Sequence, residues 1–197
     1  MIRLKLREFA VNFDFTFFAV MALFSCLDTG GTGFMSICAC ALHETGHLLA
    51  MKIKGEKASA ITFYGGGIKI SRERQSSSVL VILGGVIVNF ALAAMLLFTK
   101  NQYMNIFGAI NLIIGLFNLL PISCLDGKQL IDIILLKILS PQKALLCSYT
   151  LEIVNSIIAF IAVIVLLWFN AVNFSAVIVF VYVFAVDIIS KLCYDKV

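Results

Sequence analysis

Charged residues are missing from three long stretches of this chain. Positions 75–99, 101–125 and 153–186 contain no Asp, Glu, Lys or Arg. A helix needs about 20 predominantly apolar residues to cross roughly 30 Å of hydrocarbon. The first two stretches each supply one such span. The third supplies two if the chain folds back near Asn170–Asn173. Two earlier segments, 9–27 and 33–52, are also long and apolar enough, although they carry Asp14 and Glu44. The pattern therefore predicts six spans: 9–27, 33–52, 78–98, 104–125, 147–169 and 173–190. Between the second and third lies the one sizeable polar stretch, 53–78. There Ile61-Thr62-Phe63 and Ile68-Lys69-Ile70 alternate apolar and polar around Tyr64-Gly65-Gly66-Gly67. Alternation with period two, broken by glycines, predicts a β-hairpin. The expected fold is an all-α polytopic membrane protein of about six transmembrane helices, one domain over 1–197, with a small β-hairpin after the second helix.

Composition removes the soluble alternative. Of the 197 residues, 61% are hydrophobic and only 13% charged, about half the usual charged share of ~25%. The mean hydropathy is +1.05. A soluble domain of this size cannot bury that much apolar surface. The six cysteines fall mostly in apolar spans and read as small buried hydrophobes, not as a disulfide framework.

The positive charges carry topology. With six spans, every Lys and Arg except Lys100 falls on one side of the bilayer. Basic loops stay in the cytoplasm, which places both termini and the 53–78 loop there. The net charge of +4 is thus an orientation signal, and no basic stripe with stacking aromatics argues for nucleic acid. The first span resembles a signal peptide in its basic start. Asp14 within it, and the lack of a clear small-residue cleavage site, favour an uncleaved helix.

Two motifs carry chemistry. The first is His43-Glu44-Thr45-Gly46-His47, inside the second span and holding both histidines of the chain. Residues four apart share a helix face, so both imidazoles can bind one metal ion. Glu44 stands beside that ion, where it can take a proton from an attacking water. Burying a glutamate and two histidines in lipid for packing alone is expensive. Gly46 leaves room for a second helix or a substrate to approach.

The second motif is Asn118-Leu-Leu-Pro121-Ile-Ser-Cys-Leu-Asp126-Gly127, closing the fourth span on the cytoplasmic side. His47 lies five residues from Lys52, about 7 Å from that same side at 1.5 Å per residue. The two motifs are at one depth. Pro121 breaks the helix, and irregular backbone is tolerated at membrane depth where it is buried or lines a cavity. Asp126 offers a third ligand, giving a two-His, one-carboxylate site with an open position. Its alternative is to cap an interfacial helix from Lys128 onward.

The two motifs together resemble the site-2 protease family of intramembrane zinc metalloproteases. That family pairs HExxH in one span with N-x-x-P-x-x-x-x-D-G in a later one. A third family feature, G-P-x-x-N, matches here at Gly85 and Asn89, with Val86 in place of the proline. Phe63-Tyr64-Gly65-Gly66 resembles the family's membrane-associated strand. The resemblance covers 33–139 and is nearest to the short, sporulation-type bacterial branch. It implies Zn²⁺ held by His43, His47 and Asp126, with Glu44 as the base. Asn118 and Asn89 would bind substrate backbone or the oxyanion, and Gly65, Gly66 and Ile68 would hold an unwound substrate strand. The implied substrate is a membrane-tethered protein. Regulatory membrane partners or self-association are possible companions, and a catalytically inactive scaffold or a metal permease are the alternative functions. Asn111 reads as a helix contact or a turn residue. Glu152 reads as a carboxylate that pairs with a neighbouring helix or reaches the interface.

Overall fold

The structure is a computed structural model that describes residues 2–6, 9–27, 30–64, 67–72, 78–122 and 125–168. The chain divides into two compact units, Met1–Asn118 and Leu119–Val197. The predicted sixth span, 173–190, lies outside the described residues.

The first unit opens with a difference from the sequence expectation. The predicted 9–27 span is not one helix. Strand β1 (Ile2–Leu6) pairs antiparallel with β2 (Phe9–Phe13), and only then does α1 (Phe15–Leu27) begin, 13 residues long. The segment Phe9-Ala-Val-Asn-Phe13 is aromatic, β-branched and alternating, so it satisfies a strand as well as an apolar helix. Its partners decide the matter. Asp14 then accepts the Thr16 backbone N–H at 3.0 Å, starting α1.

After α2 (Thr32–Lys54) come β3 (Ala58–Tyr64) and β4 (Gly67–Arg72), the hairpin that the alternation predicts. It belongs to a larger sheet of order β1-β2-β3-β4, in which β2 and β3 run parallel. Parallel neighbours need a long crossover, and α1 and α2 supply it. Phe13 stacks on Phe63 with ring centroids 4.8 Å apart, and Phe17 meets Phe63 edge-on at 5.4 Å. These contacts pin α1 to the sheet.

Helix α2 ends at Gly55, whose φ of 70° is the left-handed conformation that glycine adopts without penalty. Helices α3 (Val79–Leu96) and α4 (Gln102–Asn118) complete the unit. Helix α3 crosses α2 backbone to backbone. A Cβ on Gly84 would stand 2.6 Å from the Gly46 carbonyl oxygen, and one on Gly46 would strike the Gly84 carbonyl. On the sheet side of this crossing, Ala50, Met51 and Val81 form a core closed by Ala58 and Ile70.

The predicted 104–125 span stops early, because α4 ends at Asn118. Pro121 has no N–H to donate, and the residue before a proline avoids helical backbone. The second unit resumes as α5 (Asp126–Ile138) and α6 (Pro141–Trp168). Pro141 suits the first position of a helix, so α6 starts earlier than the expected 147. Lys128 Nζ joins the two helices. It lies 2.8 Å from Asp132 Oδ1 and donates to Ser148 Oγ at 2.6 Å, while the Ser148 hydroxyl donates to Asp132. Glu152 is buried one turn further along α6.

Six helices and one small sheet thus make up the described residues. Two helical segments, Val79–Leu96 and Pro141–Ala162, are long and apolar enough to cross a bilayer. Helix α6 exposes Leu145, Leu146, Ile157, Ile158, Phe160 and Ile161 around its circumference. Exposed apolar side chains in such number favour a nonpolar medium.

The α2–α3 crossing makes a direct prediction. Gly84→Ala should cost about 1–3 kcal/mol, because the obstacle is rigid backbone. Gly30→Ala, with nothing within 4 Å of a new Cβ, should be near neutral. Thermal unfolding of the detergent-solubilised chain checks both. Equal midpoints would contradict the close crossing.

Candidate metal centre

The glycine contact brings α2 near enough to α3 for its histidines to reach across. Both are buried, and each uses its Nδ1 on an acceptor from α3. His43 Nδ1 lies 2.6 Å from Asn89 Oδ1, and His47 Nδ1 lies 2.7 Å from the Val81 carbonyl oxygen. Gly85 makes space for the first contact, since a Cβ there would collide with the His43 ring.

A backbone carbonyl only accepts, so His47 carries its proton on Nδ1. The Asn89 amide turns its nitrogen the other way and donates to Asn111 Oδ1 at 2.9 Å. Its oxygen therefore faces His43, which is also protonated on Nδ1. Each Nε2 is then the ring nitrogen turned away from α3, and the two lie 3.1 Å apart. A cation between them, a metal ion or a shared proton, satisfies both nitrogens at that distance. Two imidazole nitrogens on one buried face are a donor pair that zinc takes. The donor set also has the usual outer support of metal-bound imidazoles, an acceptor on each remaining N–H. The histidines fit a zinc ion.

The other predicted site residues are distributed as follows. Glu44 is half-buried on α2, next to His43. Asp126 is the first residue of α5 and is buried. The following Gly127 is required there, because a Cβ would strike the Leu119 and Leu120 carbonyl oxygens of the folded connection. Asn118 donates its amide N–H to the Ile114 carbonyl of its own helix at 3.0 Å. Asn89 is fully buried, with its amide directed to His43 and Asn111. Ile68 lies in β4, paired in register with Phe63. Gly65 and Gly66 lie outside the described residues. Val86, where the family has proline, is buried within the continuous helix α3. Cys40, read as a buried hydrophobe, is exposed.

Asn111 is the residue that the sequence reading left without a part in the site. It is fully buried on α4. The available signal was its place seven residues before Asn118, on the same helix face.

The chain shares its fold with a solved intramembrane protease. The site-2 protease from Methanocaldococcus jannaschii aligns with a TM-score of 0.61 over 93% of this chain and 90% of that one, at 21% identity. The fold is that of a site-2 protease. No protein-family model and no curated protein sequence matches the chain.

Gly85→Ala tests the histidine geometry. Pushing the His43 ring from its acceptor should weaken zinc binding by about tenfold or more while leaving the helical circular dichroism intact. Competition with a chromophoric zinc chelator measures it, and unchanged affinity would contradict the placement.

Proposed function

We propose that this chain is an intramembrane zinc metalloprotease of the site-2 type, cleaving a peptide bond in or near a transmembrane segment of a membrane-tethered protein. The observation that carries this reading is the pair of histidine Nε2 atoms 3.1 Å apart, each ring oriented by an acceptor at its Nδ1, on a helix whose sequence is His-Glu-Thr-Gly-His. The fold likeness supports it independently.

On this reading His43 and His47 would hold the ion, with Asp126 as the third ligand. Zinc supplies a Lewis acid that polarises the scissile carbonyl and makes water a nucleophile near neutral pH. Glu44 takes the proton from the attacking water on its carboxylate and delivers it to the leaving amine nitrogen. A carbonyl inside a substrate helix is already hydrogen-bonded, so the substrate must unwind before attack. Strand β4 ends the sheet order among the described residues, and its outer edge would hold the unwound segment by strand addition. If six spans form, the positive-inside pattern would put both termini and the opening of the site in the cytoplasm.

Wild-type protein and Glu44→Gln should bind zinc alike. Cleavage of a co-expressed membrane reporter should fall by about 10²–10⁴-fold in the variant. Equal cleavage by the two would refute Glu44 as the base, and absence of cleavage by wild type on any membrane reporter would favour an inactive scaffold. Ile68→Pro should lower reporter cleavage with zinc content unchanged. Undiminished cleavage would remove the strand from substrate binding.

A further inference from the structure

We infer that Asn111 is a positioning residue for the metal centre. It acts through Asn89 to set which nitrogen of His43 carries the proton and which would bind the ion. The inference rests on the zinc reading above and concerns residues beyond the motifs that carry it.

The direction of the chain of hydrogen bonds is fixed from its far end. Asn111 Nδ2 donates to the Phe107 carbonyl oxygen of its own helix at 2.8 Å. That carbonyl can only accept, so the Asn111 amide is held with its nitrogen toward Phe107 and its oxygen toward Asn89. Asn89 must then present its own nitrogen to Asn111, at 2.9 Å. This turns the Asn89 oxygen toward His43 Nδ1, at 2.6 Å. Each step removes one of two amide orientations. A backbone carbonyl on α4 thereby sets the tautomer of a histidine on α2.

The two asparagines are fully buried, so water does not compete for these bonds. An amide is close to symmetric in shape, and packing alone selects its orientation weakly. Without Asn111, Asn89 could turn its nitrogen to His43. The imidazole would then accept at Nδ1 and carry its proton on Nε2, the atom needed for the metal.

The test uses the full chain in detergent, with zinc affinity read by chelator competition and cobalt substitution as a spectroscopic check on coordination. Asn111→Leu should weaken zinc binding by about tenfold, the low end for loss of an outer-shell partner. A carboxylate in place of the Asn89 amide has two equivalent acceptor ends and needs no orienting. In an Asn89→Asp background, Asn111→Leu should therefore cost no zinc affinity, and the cobalt spectrum of the double variant should match that of Asn89→Asp alone. A purely structural role for Asn111 predicts the same loss in both backgrounds, and that result would overturn the proposal. Unchanged affinity in Asn111→Leu alone would overturn it as well. His43→Ala separates this from the underlying reading. Zinc binding lost in His43→Ala is expected, whereas zinc binding retained there would refute the metal site itself.

Discussion

Two helices without side chains at their crossing set the rest of the centre. Gly46 meets Gly84 backbone to backbone, with Gly85 against the His43 ring. At that separation the α2 imidazoles reach the α3 acceptors directly, with no space for an intervening residue. The bonds at 2.6 and 2.7 Å are short. They hold the two Nε2 atoms 3.1 Å apart, an arrangement favourable around a cation. Buried polar groups of this kind are costly unless every one has a partner. Here the partners continue, from His43 through Asn89 and Asn111 to a main-chain carbonyl.

The glycines and the asparagines therefore belong to one device. Small residues allow the helices to approach, and amides fill the polar demand that the histidines create. The Val86 departure from the family pattern is tolerable on these grounds. Gly85 and Asn89 are the members of that stretch that touch His43, and Val86 packs within the same helix. Gly127 plays a comparable part beside Asp126, where the connection after α4 folds so tightly that only a hydrogen fits.

Much of this was legible in one dimension. The HExxH spacing placed two imidazoles on one face, Pro121 marked a break, and alternation around Gly65–Gly67 marked a hairpin. Three things were not legible. The stretch Phe9–Phe13 fits strand and helix periodicity alike, and its pairing with β1 and β3 makes it a strand. Asn89 has the chemistry of a substrate-binding amide, yet its neighbours are a histidine and another asparagine. Asn111 carries no motif at all.

The sequence by itself determined the apolar character of the helices and the spacing that sets His43 and His47 on one face with Glu44 beside them. Those follow from composition and from the 3.6-residue turn, which are properties of the chain's own order. Only the tertiary structure decided which nitrogen of each histidine is free. A tautomer depends on the acceptor that the other ring nitrogen meets, and that acceptor comes from a helix more than thirty residues away along the chain.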